Sequence, residues 1–96
     1  MSVVVNRVRR GFYADSVALM RIARRLAAGA GVRDASLMIG SDSNKALLNG
    51  AGLLAADARS AQADDLVIAV RARNATQAKA ALDEVERLLA GDGDGA

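Results

Sequence analysis

The stretch Leu66-Val-Ile-Ala-Val-Arg71, LVIAVR, is the clearest strand in the sequence, and what surrounds it decides the fold. Asn74 or Thr76 follows as a helix cap, and Ala78, Ala81, Leu82, Val85 and Leu88 or Leu89 recur at i, i+3, i+4, i+7 spacing to about Ala90. The same order occurs 62 positions upstream, where Val8-Arg9 aligns with Val70-Arg71 and Arg25-Leu26 with Arg87-Leu88. Ser2–Arg10 (SVVVNRVRR) reads as a β-branched strand and Gly11–Ala14 as a turn. Asp15 or Ser16 then caps a helix to about Ala28. Its broad apolar face takes in Val17, Leu19, Met20, Ala23, Leu26 and Ala27, with Arg21, Arg24 and Arg25 as a basic stripe.

Between the two units, Val32–Ile39 leads into a further strand whose best part is Ser36–Ile39, and a short helix follows from Asn44 to about Asn49, stopped by Gly50 and Gly52. Leu53–Asp65 is alanine-rich without a clean period and reads as loop with a helical turn. Two strand–turn–helix units with a strand between them predict an α/β (α+β) domain. The expected form is a small ferredoxin-like split β-α-β sheet with helices on one face. A complete unit of that kind needs a last strand after the final helix. Only glycine, aspartate and alanine follow Ala90, so the sheet should lack that strand. Residues 1–90 are then a single domain and 91–96 a disordered tail. An open sheet edge is usually covered or paired.

Ninety-six residues allow one domain at most. The chain is 52% hydrophobic with one Phe, one Tyr and no Trp, so its core must be aliphatic. Thirteen basic and eleven acidic residues leave a net charge of +2; with a single aromatic pair, this is no nucleic-acid signature. The absence of cysteine and histidine removes thiolate nucleophiles, the commonest general base and the commonest metal ligands. No catalytic residue, metal or cofactor is therefore expected. No apolar run approaches the ~18 residues of a membrane span and no signal-peptide pattern opens the chain. A soluble cytoplasmic protein is the expectation, with no membrane partner.

Two segments are candidate sites. Gly40–Lys45 (GSDSNK) sets Ser41, Ser43 and Asn44 between a strand end and a helix start, where free amides and the helix dipole suit a small anion and Lys45 adds charge. The P-loop spacing is missing, and an N-capped helix with a surface lysine explains the same residues. Arg9–Ser16 (RRGFYADS) repeats the arrangement. If the first two strands lie side by side, Arg9, Tyr13, Ser16, Ser43, Asn44 and Lys45 surround one pocket. The carboxylates of Asp64-Asp65 and Asp83-Glu84-Glu86 read as a turn leading into a strand and a solvated helix face.

The elements G-[FC]-x-x-D-S-V-x-L-M, here Gly11–Met20, and M-x-G-x-x-x-N-K-A-L-L, here Met38–Leu48, resemble the amino-terminal region of the FdrA family, together with ADDLVIAVRA. The likeness runs from about Val8 to Ala90. It implies kinship with acyl-CoA synthetase-like proteins related to the succinyl-CoA synthetase α subunit. These are linked to carbamoyl transfer from oxamate-type substrates in purine or ureide nitrogen catabolism. In that family the region is followed by CoA-binding-like and ligase domains, which this sequence does not contain. The resemblance thus implies a non-catalytic subunit or amino-terminal domain that packs on an FdrA-like CoA-binding or ligase chain, as a homo- or hetero-oligomer. Two other expectations stand beside it: a regulatory module binding a small anionic metabolite, and a self-assembling structural unit.

Overall fold

The computed structural model describes residues 2–12, 14–29 and 31–91. Tyr13 and residues 92–96 of the expected tail lie outside them. In chain order the elements are β1 (Val3–Arg9), α1 (Ser16–Ala27), β2 (Val32–Ile39), α2 (Asp42–Gly50), a 3-10 turn (Ala56–Ala58), β3 (Leu66–Ala72) and α3 (Ala75–Gly91). The strands form one antiparallel sheet of order β1-β3-β2. LVIAVR is thus the central strand. Leu66–Val70 are buried on both faces, which explains why they read as a continuous apolar run rather than an alternation, and Arg71 behind them is half-buried. The described residues form the expected ferredoxin-like α+β arrangement, with three strands and none outside β1 among them.

Alternation along β3 assigns the two faces. Leu66, Ile68, Val70 and Ala72 meet Leu19, Ile22 and Leu26 of α1 and Ala78, Leu82 and Val85 of α3. Val67 and Ala69 point the other way, onto Leu48 of α2, Leu53, Ala58 and Ala61. The two long helices share one face, as the repeat requires. The connection between β2 and β3 covers the other, because Val67 and Ala69 would otherwise be bare apolar surface. The apolar face expected of α1 differs in part: Leu19, Ile22 and Leu26 are buried, whereas Val17 and Met20 are 63% and 60% exposed.

Caps form where short oxygen-bearing side chains allow. Asp15 accepts from the Val17 amide at the start of α1, and the Asn74 side chain accepts from the Gln77 amide at the start of α3. Helix α2 begins two residues earlier than expected, because Ser41 is its cap. No helix among the described residues is long and apolar enough to cross a membrane.

Candidate functional site

The strand order corrects the expectation of one shared pocket. Strands β1 and β2 run in the same direction, but β3 separates them: Arg9 and Ile39 both lie opposite Leu66. Their carboxyl ends open at the same end of the sheet, about 9–10 Å apart by two strand spacings. The predicted residues fall into three places.

Arg9 lies on the β1 side. It and Arg7 (3.1 Å) share the Glu86 carboxylate of α3, and its guanidinium stacks 4.9 Å from the centre of the Phe12 ring. Ser16 and Asn44 line one cleft at the end of β2, with Met20, Leu37 and Ile39 as apolar walls. Asn44 donates from Nδ2 to the Ile39 carbonyl at 3.0 Å. Ser41 and Lys45 line a separate hollow at the start of α2, walled by Ser60, Ala61 and Gln62. Ser43 is exposed in the first turn of that helix.

In the hollow, the Ser41 hydroxyl accepts from the Asn44 amide at 3.2 Å. Asp42 follows in the first turn, where a carboxylate complements the helix dipole. The expected surface lysine is mostly covered: the Lys45 side chain is 19% exposed. Its ammonium donates to the Arg59 carbonyl at 3.0 Å and the Ala61 carbonyl at 2.7 Å, with Asp42 at 3.9 Å. Lys45 therefore ties α2 to the segment that enters β3.

Sequence reasoning placed Asp65 in a turn but missed its role. The residue is 4% exposed and sits where three connections meet. Its Oδ2 accepts from the Gln62 amide and its Oδ1 from the Gly11 amide, each at 3.0 Å, and Arg10 stands 3.7 Å away. Its backbone carbonyl accepts from the Gly40 amide at 2.8 Å. Gly11 reaches the carboxylate with φ of +63°, a conformation glycine adopts without steric cost. The hydrogen bonds from Gln62 and Gly11, aided by the Arg10 charge, hold the carboxyl below the ordinary Asp value of 3.8 despite its burial. The signal was an acidic residue directly before the apolar run Leu66–Val70 of the central strand, a position that demands local donors. Asn6 is a second such case inside a β-branched run: it donates to the Leu53 carbonyl at 2.9 Å and accepts from the Ala55 amide at 2.6 Å.

This chemistry is that of a ferredoxin-like domain whose buried polar groups serve the fold. No solved structure matches the chain. A match to the AllF heavy metal-associated domain family spans residues 1–96, and the chain belongs to that family. AllF is related to the FdrA-type proteins of allantoin fermentation. The description implies a heavy metal, but the residues here do not suit one. The sequence has neither cysteine nor histidine, and the described residues hold no group of three or more acidic side chains able to bind an ion. Both Asp65 oxygens already accept protein donors.

Proposed function

We propose that this chain is a non-catalytic docking domain of an FdrA-type acyl-CoA synthetase or carbamoyltransferase assembly in purine or ureide nitrogen catabolism. The observation that carries the reading is the engagement of the polar groups at the sheet end. At that end Asp65, Arg9, Lys45 and Asn44 each hold backbone or an ion-pair partner, as does Asn6 in the middle of β1. The carboxylates beside them, Glu86 and Asp42, pair with the Arg9 and Lys45 cations, and the sequence has no imidazole or thiol for them to activate. Family membership supports the biological setting, and the motifs Gly11–Met20 and Met38–Leu48 support the FdrA connection.

A domain of this kind contributes by binding. The test mixes the purified chain with an FdrA-type CoA-binding chain and follows association by calorimetry, with carbamoyl-transfer turnover measured for each alone and together. The expected result is a complex, with no turnover by the 96-residue chain. Turnover by this chain alone would overturn the reading. So would failure to associate with a chain from the same operon.

A module for a small anionic metabolite is the second reading, supported by the hollow beside Ser41 and Lys45. An anion there would have to compete with two carbonyls for the ammonium and sit near the Asp42 carboxylate. Oxamate or phosphate raising the melting temperature of the chain, and failing to do so for Lys45→Ala, would favour it over docking.

A further inference from the structure

Strand β2 ends the sheet on one side, and its backbone pattern can be read residue by residue. The Gly40 amide bonds the Asp65 carbonyl, continuing the ladder one pair beyond Ile39 and Leu66. Hydrogen-bonded positions alternate along an antiparallel pair, so Asp34, Ser36 and Met38 turn their amides and carbonyls toward β3. Ala35, Leu37 and Ile39 turn theirs outward. Two side-chain bonds agree: the Asp34 carboxylate accepts from the Ala35 amide at 2.9 Å, and Asn44 donates to the Ile39 carbonyl.

The outward groups left open are the Ala35 carbonyl, the amide and carbonyl of Leu37, and the Ile39 amide. This set is complementary to itself. With a two-fold axis through Leu37, each Leu37 amide meets the other Leu37 carbonyl, and each Ala35 carbonyl meets the other Ile39 amide. The two groups already satisfied by side chains, the Ala35 amide and the Ile39 carbonyl, would face one another in this register and need no partner.

The apolar surface gathers at the same edge. The exposed large hydrophobic residues among those described are Val17, Met20, Ile39 and Leu47. Met20 and Ile39 wall the cleft beside the β2 edge, and Val17 and Leu47 lie one helical turn from Met20 and Asn44. The β1 edge, where the missing last strand would pair, has no such residue. It carries Arg7 and Arg9 on Glu86, and charge of this kind blunts an edge.

We infer that two copies of this chain pair through β2, antiparallel about Leu37, to give a continuous six-stranded sheet. The inference is independent of the assembly proposed above. An isologous interface of this kind needs a surface that complements itself, and the backbone pattern of β2 does so. Any strand edge can meet a copy of itself in this way; what favours a second copy here is that the two groups already satisfied, the Ala35 amide and the Ile39 carbonyl, fall opposite one another when β2 meets β2.

Because the sequence lacks cysteine, engineered thiols report the register without background. In the Leu37-centred pair Ser36 lies directly opposite Met38 of the other copy at a non-hydrogen-bonded position, where Cα atoms approach to about 4.5 Å. An equimolar mixture of Ser36→Cys and Met38→Cys should form a covalent dimer under mild oxidation, and neither variant alone should. Sedimentation equilibrium of the unmodified chain should give a monomer–dimer equilibrium, weakened at least about tenfold by the surface change Met20→Lys. Circular dichroism would establish that Met20→Lys stays folded. A monomer at millimolar concentration would overturn the inference. So would equal cross-linking in the single-variant samples, or dimers unaffected by Met20→Lys that cross-link through Val4→Cys and Val8→Cys on β1.

Discussion

Lys45 and Ser41 stand four residues apart and separate two kinds of contribution. Ser41 satisfies an amide of its own helix, so Ser41→Ala should cost about 1 kcal/mol, the usual loss of a cap. Lys45 reaches carbonyls 14 and 16 residues away. Lys45→Ala leaves those acceptors without their charged donor and should cost about 1–2 kcal/mol, more than a solvent-facing lysine would. Urea unfolding of the two variants measures both. Asp65 adds a pH dependence. Its folded carboxyl titrates below the unfolded one, so its stabilisation is complete above about pH 5 and declines below about pH 4 as the group protonates. Asp65→Asn should be less stable than the parent at pH 7, and the gap should narrow as the pH falls toward 3. A gap that stays constant across that range would exclude the carboxylate as its source.

At the scale of elements, the strands and the starts of α1 and α3 were legible because their causes are local. A β-branched run, an Asp or Ser before a periodic segment, and a glycine after it act within a few residues. The 62-residue repeat also carried the sharing of one face by α1 and α3. Strand order was not legible, since β1 and β2 look alike as neighbours and only the packing of LVIAVR decides which strand lies between them. The role of Lys45 escaped for a related reason: its acceptors are backbone carbonyls in an aperiodic stretch, and any residue type supplies a carbonyl. The exposure of Val17 and Met20 was hidden too, because an apolar helix face reads the same whether its partner is the core or another molecule. Between β2 and α2, Gly40 has no room for a side chain. An added Cβ would lie 2.8 Å from both the Ala61 Cβ and the Gln62 carbonyl oxygen. Gly40→Ala should therefore destabilise by about 1–3 kcal/mol, read from the shift in the unfolding midpoint.

For the molecule as a whole, the heavy-metal description of the family meets a sequence with no thiol or imidazole. A metal that bound only the folded state would raise the melting temperature by mass action. Zinc or cuprous ion in excess should instead move the melting temperature of this chain by less than about 1 °C. A larger, saturable rise would reveal a ligand set outside the ordinary donors. The same accounting bears on assembly. With an aliphatic core and, among the described residues, no strand beyond either β1 or β2, the isolated fold is thinly insulated, and added burial is a direct route to greater stability.

The pinch between the Gly40 amide and the Asp65 carbonyl means that the chain leaves the sheet and returns to it at nearly one point. Everything between, including α2 and the 3-10 turn, is a closed flap. It is held down by Leu48, Leu53, Ala58 and Ala61, by the two Asn6 bonds to the Leu53 carbonyl and Ala55 amide, and by Arg71 on the Ala51 and Gly52 carbonyls. Such a flap can lift as a unit while the three strands and the α1–α3 layer stay shut, because no strand pairing crosses the pinch. Deuterium exchange under native conditions should then divide the molecule in two. The amides of α2 should exchange through a shared opening of lower free energy than the amides of β3, which should wait for global unfolding. Weakening the Asn6 anchor with Asn6→Ala should speed the first group more than the second.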